Sequence, residues 1–278
     1  MPAVAGREAE VVVELGFVGA GRMGRPMVRR LVRAGHRVRV YARGAEARQA
    51  LAGDGAGPVT SLAAVARGVD ALLVCVLTDA QVREVCFDGA LGAALPAGTV
   101  LVVHTTGDPR TVRTLADRGA DVVDAPVSGG PHDIEAGRLT VFAGGRQEAV
   151  DRVRPALSAY ADPVLHVGPL GVGQSVKLVN NALFAAQLGL LAQTVEVGQR
   201  LGVDEGTLLA ALAHGSAAGN ASAASAARGG VAALAAGAGP FLRKDLAVVT
   251  ALAGELGLGL GALEPAVRNL EELLHGGG

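Results

Sequence analysis

Three glycines near the amino end of the chain have a spacing that can do chemistry. In the stretch ELGFVGAGRMGRPMVRRL, which begins at Glu14, the residues Gly19, Gly21 and Gly24 form a G-x-G-x-x-G pattern. An apolar run precedes the pattern and helical spacing follows it, the context in which such a loop binds a dinucleotide pyrophosphate at a helix N-terminus. Because the chain has 41 glycines, an ordinary tight turn remains the alternative on this pattern alone.

The next apolar run, HRVRVYARG, ends where an adenosine ribose would lie. An NAD-preferring protein usually presents an Asp or Glu to the ribose 2′-hydroxyl at this place. This chain has Ala42 and Arg43 instead, and a guanidinium can pair with a 2′-phosphate through its planar fork. We therefore expect NADP in preference to NAD, and the alternative is a solvated surface arginine.

A second candidate site is the stretch DAPVSGG, which begins at Asp124 and follows an apolar run. Ligands of open α/β sheets bind beyond the carboxyl ends of the strands. The Ser128 hydroxyl and the amides of Gly129 and Gly130 would form a cradle for an anion such as a substrate carboxylate. An ordinary Ser-Gly-Gly turn is the alternative.

A third candidate is the stretch GVGQSVKLVNN, in which Lys177 opens an apolar helix and Asn181 lies one turn later on the same face. A partly desolvated lysine has a lowered pKa and can exchange protons near neutral pH, and the amide can orient it or the reacting oxygen. The alternative is a lysine that reaches solvent from a helix end. Lys244 and Asp245, in GPFLRKDLAVV, are predicted at the start of a further helix, where Asp245 would stabilise the N-terminus.

The elements that must position these residues change along the chain. Short apolar runs alternate with amphipathic segments up to about residue 167, which predicts a doubly wound parallel sheet of the Rossmann type. Beyond VGPLGVG the strand signals end, and Ala- and Leu-rich segments broken by glycines predict short, loosely packed helices. We therefore predict a dinucleotide-binding domain at 1–167 and an all-helical domain for substrate binding and oligomerisation at 168–278, joined through a long helix.

Composition favours a small-molecule role. The formal net charge is −1 and the charges are mixed along the chain, which gives no case for nucleic-acid or membrane-surface partners. Two cysteines imply no disulfide framework, and the first residues lack a secretory signal pattern, so we expect a cytoplasmic protein. The uncharged stretch LVNNALFAAQLGLLAQTV contains four amide side chains and is predicted to be an interior helix, not a membrane span.

Taken in order, these stretches resemble the β-hydroxyacid dehydrogenase family, which includes 3-hydroxyisobutyrate dehydrogenases and tartronate semialdehyde or glyoxylate reductases. The resemblance covers nearly the whole chain. It consists of G-x-G-x-M-G at 19–24, D-A-P-V-S-G-G with a downstream G-x-L at 124–139, G-x-G-x-x-x-K-x-x-N-N at 171–181, and the pair at 244–245.

The resemblance implies a role for each matching residue. Lys177 would be the general acid/base, Asn181 would hold substrate, and the 128–130 segment would take the substrate carboxylate. Lys244 would contact substrate and cofactor. The remaining cofactor contacts would fall on the glycine loop, including Arg22 and Met23, on the strand ends at Val76, Leu77 and Thr106, and at Asp245.

The chain departs from the family pattern at two places. Family members often have Asp-x-Ser-Thr where this chain has HTT, so His104 is unusual. Pro131, His132 and Asp133 replace small residues after the Ser-Gly-Gly and alter the pocket.

The expected activity is reversible hydride transfer between NADP or NAD and a short β-hydroxyacid or its semialdehyde, without a metal, in a homodimer or homotetramer. An NADPH-dependent imine reductase and a non-catalytic NADP-binding module are the alternatives.

Overall fold

The computed structural model describes residues 13–88, 91 and 95–276. Its two compact units divide between Lys177 and Leu178. The boundary predicted from sequence, after residue 167, precedes the long helix within which the units divide.

The first unit is built on one sheet that follows the predicted strand and helix alternation. The apolar runs identified in the sequence form strands, and strands at 57–59, 127–128 and 161–168 are added to them. In chain order the described strands are β1 (Glu14–Val18), β2 (Arg37–Tyr41), β3 (Gly57–Val59), β4 (Ala71–Val74), β5 (Val100–Val103), β6 (Asp121–Asp124), β7 (Val127–Ser128), β8 (Leu139–Gly144) and β9 (Ala161–Gly168).

The strand order confirms the predicted doubly wound sheet. β1 to β6 are parallel and lie in the order β3-β2-β1-β4-β5-β6. β8 then runs antiparallel to β6 and β7, and β9 pairs parallel with β8. The carboxyl ends of β1, β2, β4, β5 and β6 therefore lie along one edge, where open sheets bind ligands.

Helices cover both faces of this sheet. Alternate residues of the central strands belong to two separate apolar clusters, as in Leu73 and Leu72 of β4. The helices of this unit are α1 (Gly24–Arg33), α2 (Ala45–Gly53), α3 (Leu62–Ala66), α4 (Asp79–Arg83), α5 (Pro109–Asp117), α6 (Pro131–Glu135) and α7 (Gln147–Ser158), with a π-helical turn at Glu84–Asp88.

The second unit is helical, as predicted. It contains most of α8 (Val172–Arg200), then α9 (Glu205–Leu212), α10 (Asn220–Ala227), α11 (Val231–Glu255) and α12 (Leu263–Gly276). The Ala/Gly/Ser-rich stretch does not form only short helices, because α11 continues through Pro240 for 25 residues. An apolar cluster built mainly from Ala, Val and Leu fills this unit.

Helix α8 is buried on one face only. The prediction of an interior helix is therefore correct for that face and wrong for the opposite one. Ala185 and Leu188 are fully buried. By length and composition α8 could also cross a membrane, although 44% of its apolar window is buried within the structure. A row of exposed apolar residues, here named the α8 stripe, consists of Val179, Leu183, Leu190 and Val197.

Candidate functional site

The glycine loop has the geometry that its sequence predicts. Gly19 follows β1 directly and has a φ of +98°, and a Cβ on it would collide with the Cys75 carbonyl. A Cβ on Gly24 would collide with the Gly19 carbonyl, whereas the Cα of Gly21 faces open space. Since α1 begins at Gly24, its first-turn N–H groups and the open side at Gly21 form a cradle that suits a pyrophosphate.

A cleft of about 440 Å³ opens beside this loop in the first unit. Gly19, Ala20, Tyr41, Arg43 and Val76 line it, which brings together the ends of β1, β2 and β4. Its size and position suit the adenosine part of a dinucleotide.

The arginine at the end of β2 belongs to a supported loop. Arg43 is exposed at the cleft, and Arg48 of α2 donates a hydrogen bond of 2.6 Å to the Arg43 carbonyl. The backbone of Arg43, a residue that lines the cleft, is thereby held in place.

The ends of β4 and β5 are tied together by a threonine. Thr105 Oγ1 accepts a hydrogen bond of 3.1 Å from the Val76 amide and donates one of 2.9 Å to the Val76 carbonyl. Leu77 is 57% exposed, and its amide donates to Gln81 at 2.9 Å. Thr106 is half-buried beside Thr105. The predicted cofactor residues after these strands therefore lie on the same edge of the sheet.

Two residues that the sequence analysis gave no role, Asp124 and Gln174, fix the start of α8 to that edge. The carboxylate of Asp124, fully buried at the end of β6, accepts hydrogen bonds of 2.7 Å from the amides of Gly171 and Gln174. The Gln174 side chain accepts from the Gly107 amide at 2.9 Å and donates to the Thr105 carbonyl at 2.8 Å. Burial raises the pKa of Asp124, and the amide donors oppose that rise.

The Ser-Gly-Gly segment lies where predicted, but one of its amides is engaged. Ser128 ends β7 and is half-buried, and Gly129 has a φ of +122°. The Gly130 amide donates to Asp133 Oδ2 at 2.8 Å. Of the three groups predicted to receive a carboxylate, one is therefore already bonded to a carboxylate of the protein itself.

Lys177 occupies the second turn of α8. It is 9% exposed, which agrees with the partly desolvated lysine expected from sequence. It lies three positions after Gln174, so the anchored first turn of the helix fixes the position of its backbone.

The second unit holds a separate cluster of polar side chains. Asn181 Nδ2 and Lys244 Nζ each donate a hydrogen bond of 2.6 Å to Asp245, one to each carboxylate oxygen. Asn180 Nδ2 donates to Asn181 Oδ1 at 3.1 Å. Asp245 is 3% exposed and lies well inside α11, so the prediction that it begins a helix and stabilises its N-terminus is wrong.

A buried histidine, His104, directly follows β5 in the first unit. His104 Nδ1 is 2.6 Å from the Ala125 carbonyl, an acceptor, so Nδ1 carries the proton. Nε2 then accepts from the Tyr160 hydroxyl at 2.8 Å. Burial lowers the pKa of His104 to about 4. His104 is therefore neutral near pH 7, and it is a buried residue that is not among those lining the cleft.

Among the described residues, no group of three or more His, Cys, Asp or Glu side chains is arranged to hold a metal ion.

Family models match both parts of the chain. Residues 14–168 match the NAD-binding domain of 6-phosphogluconate dehydrogenase. Residues 171–278 match the NAD-binding domain of NADP-dependent 3-hydroxyisobutyrate dehydrogenase. The chain is 32% identical to 2-(hydroxymethyl)glutarate dehydrogenase of Eubacterium barkeri over 205 residues, which cover 72% of this chain and 68% of that protein.

Solved structures share the fold at lower identity. The 3-hydroxyisobutyrate dehydrogenase of Mycobacterium tuberculosis, solved with L-serine, has a TM-score of 0.82 and 24% identity over 94% of each chain. An imine reductase of Streptomyces aurantiacus has a TM-score of 0.63 and 18% identity over 94% of this chain and 99% of that one. These two likenesses concern the fold alone.

Proposed function

Because the chain belongs to the β-hydroxyacid dehydrogenase family and is an NAD(P)-dependent oxidoreductase of that family, we propose that it interconverts a short β-hydroxyacid and its semialdehyde, with Lys177 as general acid/base. The observation that carries this proposal is the placement of Lys177, a largely buried lysine on a helix whose first turn is bonded to the ligand-binding edge of the sheet. The bound nicotinamide supplies or accepts the hydride.

The proton transfer is the task of Lys177. During oxidation its neutral amine takes the proton of the substrate hydroxyl, and during reduction its ammonium returns a proton to the carbonyl oxygen. A lysine that is 9% exposed is shielded from bulk water, so the proton passes between substrate and side chain. The anchoring by Asp124 and Gln174 limits the movement of the helix that carries it.

Substrate binding is assigned to two groups of residues. Ser128 and the amide of Gly129 donate to the substrate carboxylate, and Gly130 joins them when its bond to Asp133 opens. Asn181 holds the substrate through its side-chain amide. Asp245 accepts from Nδ2 of Asn181 and so sets the orientation of that amide, while it also holds Lys244 in place.

The cofactor is assigned to the glycine loop and the adjoining cleft. The loop, including Arg22 and Met23, receives the pyrophosphate at the start of α1. The edge formed by Val76, Leu77 and Thr106 receives the remaining part of the dinucleotide. We propose NADP in preference to NAD because Ala42 leaves no carboxylate at the end of β2 and Arg43 faces the cleft.

The cofactor preference has a direct test. Arg43→Ala is expected to lower the ratio of kcat/KM with NADP to kcat/KM with NAD by about tenfold, the value of one charge-assisted contact. Arg48→Lys is the control for Arg43→Ala, because it leaves the guanidinium of Arg43 in place. An unchanged ratio in Arg43→Ala would remove Arg43 from cofactor selection.

We also propose that the protein associates through the α8 stripe. Its four members are spaced by four, seven and seven residues, so they lie along one side of the helix, and each is 48% to 60% exposed. A second copy of the chain would cover this face as a homodimer or homotetramer. Light scattering of Leu190→Glu beside the wild type tests this: a wild-type monomer would contradict it.

The proposed reaction is tested by an absorbance assay for reduced nicotinamide. The wild type is offered NADP or NAD with short β-hydroxyacids, and NADPH with a cyclic imine in parallel. Oxidation of a hydroxyacid without reduction of the imine is expected. Reduction of the imine alone would favour an imine reductase, and cofactor binding without any turnover would favour a non-catalytic module.

A further inference from the structure

Asp133 places a negative charge inside the segment that is proposed to bind the substrate carboxylate. Its Oδ2 accepts the Gly130 amide at 2.8 Å. The same oxygen lies against Gly129, where an added Cβ would come within 2.9 Å of it. A protein carboxylate therefore already occupies part of the cradle formed by Ser128, Gly129 and Gly130.

Among the described residues, His132 is the one ion-pair partner of the Asp133 carboxylate. The neighbouring His132 Nδ1 is 3.8 Å from Asp133 Oδ1, but the His132 side chain is 84% exposed and largely screened by water. The other carboxylate of the same helix, Glu135, is paired with Arg29. The negative charge that an incoming anion meets at this segment is therefore that of Asp133.

Two carboxylates that share one small site repel each other, and the repulsion grows with the charge of the ligand. A substrate with one carboxylate either binds beside Asp133 through Ser128 and Gly129 or displaces it from Gly130. A short dicarboxylate brings a second negative charge within a few ångströms, well inside the screening length of about 8 Å at physiological salt.

We propose that Asp133 is a specificity-determining residue that makes this enzyme select monocarboxylic over dicarboxylic β-hydroxyacids. The inference rests on the proposed function, because it takes the 128–130 segment as the carboxylate site. It concerns substrate class, which the family assignment leaves open.

Asp133 also has a structural role that must be separated from its charge. It is the third residue of α6, and its side chain bonds back to the amide before the helix. Asp133→Asn removes the charge but retains an oxygen that accepts from Gly130. Glu135→Gln, two residues further along α6, removes a carboxylate that is already paired and serves as the matched control.

The experiment compares two probes, racemic 3-hydroxyisobutyrate and 2-(hydroxymethyl)glutarate, by kcat/KM with NADP and by calorimetric titration of the NADP-bound protein. For the wild type we expect a preference for the monocarboxylate. Asp133→Asn should lower that preference roughly fivefold, mainly through a smaller KM for the dicarboxylate, with unchanged melting temperature. Glu135→Gln should leave the preference unchanged.

Failure of the Asp133 proposal and failure of the proposed function give different results. If both acids bind and react but Asp133→Asn keeps the wild-type preference, Asp133 does not set specificity and the proposed function stands. An equal change in Glu135→Gln would mean a general charge effect and would also overturn the assignment. If neither acid binds or reacts, the proposed function fails and this inference fails with it.

Discussion

The buried polar networks near the candidate site differ between the two units. In the first unit, the side chains of Asp124, Thr105 and Gln174 bond mainly to backbone groups of neighbouring segments. In the second unit, Asn181, Lys244 and Asp245 bond to one another. A network bonded to the backbone fixes the paths of strands and helices, whereas a cluster of side chains sets the direction and charge of the groups that a ligand meets. We therefore expect changes in the first network to act on stability and changes in the second cluster to act on activity.

The largest expected effect on folding comes from Asp124. Asp124→Ala leaves the Gly171 and Gln174 amides without their acceptor in a fully buried place, which should lower the free energy of unfolding by about 4 kcal/mol. Urea denaturation measures the loss. Asp121→Ala on the same strand is the control, because its carboxylate pairs with Arg146 at the surface. Equal, small losses in both variants would contradict an anchoring role.

The next largest effect is a dependence of folding stability on pH, which comes from the buried His104. With a folded pKa of about 4 and an ordinary value of 6.5, His104 remains neutral in the folded protein while the unfolded chain takes up a proton. Stability should therefore fall as the pH drops from 6.5 towards 4, by about 3 kcal/mol in total from this group.

A variant isolates the contribution of His104 from that of other groups. His104→Asn retains a donor for the Ala125 carbonyl and does not titrate. The difference in unfolding free energy between wild type and variant should then shrink, or reverse, as the pH falls through this window. The raised pKa of Asp124 acts in the opposite direction in both proteins and cancels from the difference. A difference that is constant with pH would show that His104 titrates normally.

A change in the polar cluster of the second unit is expected to have the smallest effect on folding stability and a clear effect on activity. Asp245→Asn removes the charge that holds Lys244 and weakens control of the Asn181 amide. Because the Lys244 side chain is 24% exposed and can reach water, the cost in unfolding free energy should be only about 1 to 2 kcal/mol. The value of kcat/KM should fall about tenfold or more. A loss of stability as large as that of Asp124→Ala, with full activity, would reverse the contrast between the units.

The parts of the fold that local spacing determines could be predicted from sequence. The glycine loop is an example, because strand, turn and helix are adjacent in the chain and each glycine has a local steric reason. The strand β3 and the antiparallel end of the sheet were missed, since a three-residue strand such as Gly57–Val59 carries little periodic signal.

Contacts between distant residues could not be predicted. The bonds of Asp124 to the start of α8 require the register of β6 against a helix that begins about fifty residues later. The bond from Asn181 to Asp245 joins residues 64 apart in sequence. Asp245 was predicted at a helix start, but α11 continues through Pro240 and places Asp245 in its interior. The partner of Gly130 was also missed, although Asp133 is only three residues away, since its side chain serves as a helix cap.

The Lys177→Met variant tests whether Lys177 transfers the proton in an NAD(P)-dependent oxidation of a β-hydroxyacid. Methionine retains much of the buried stem and removes the amine. With NADP and 3-hydroxyisobutyrate, we expect a kcat lower by about two to four orders of magnitude, with unchanged NADP affinity and melting temperature. Turnover by Lys177→Met within a few-fold of the wild type would contradict it.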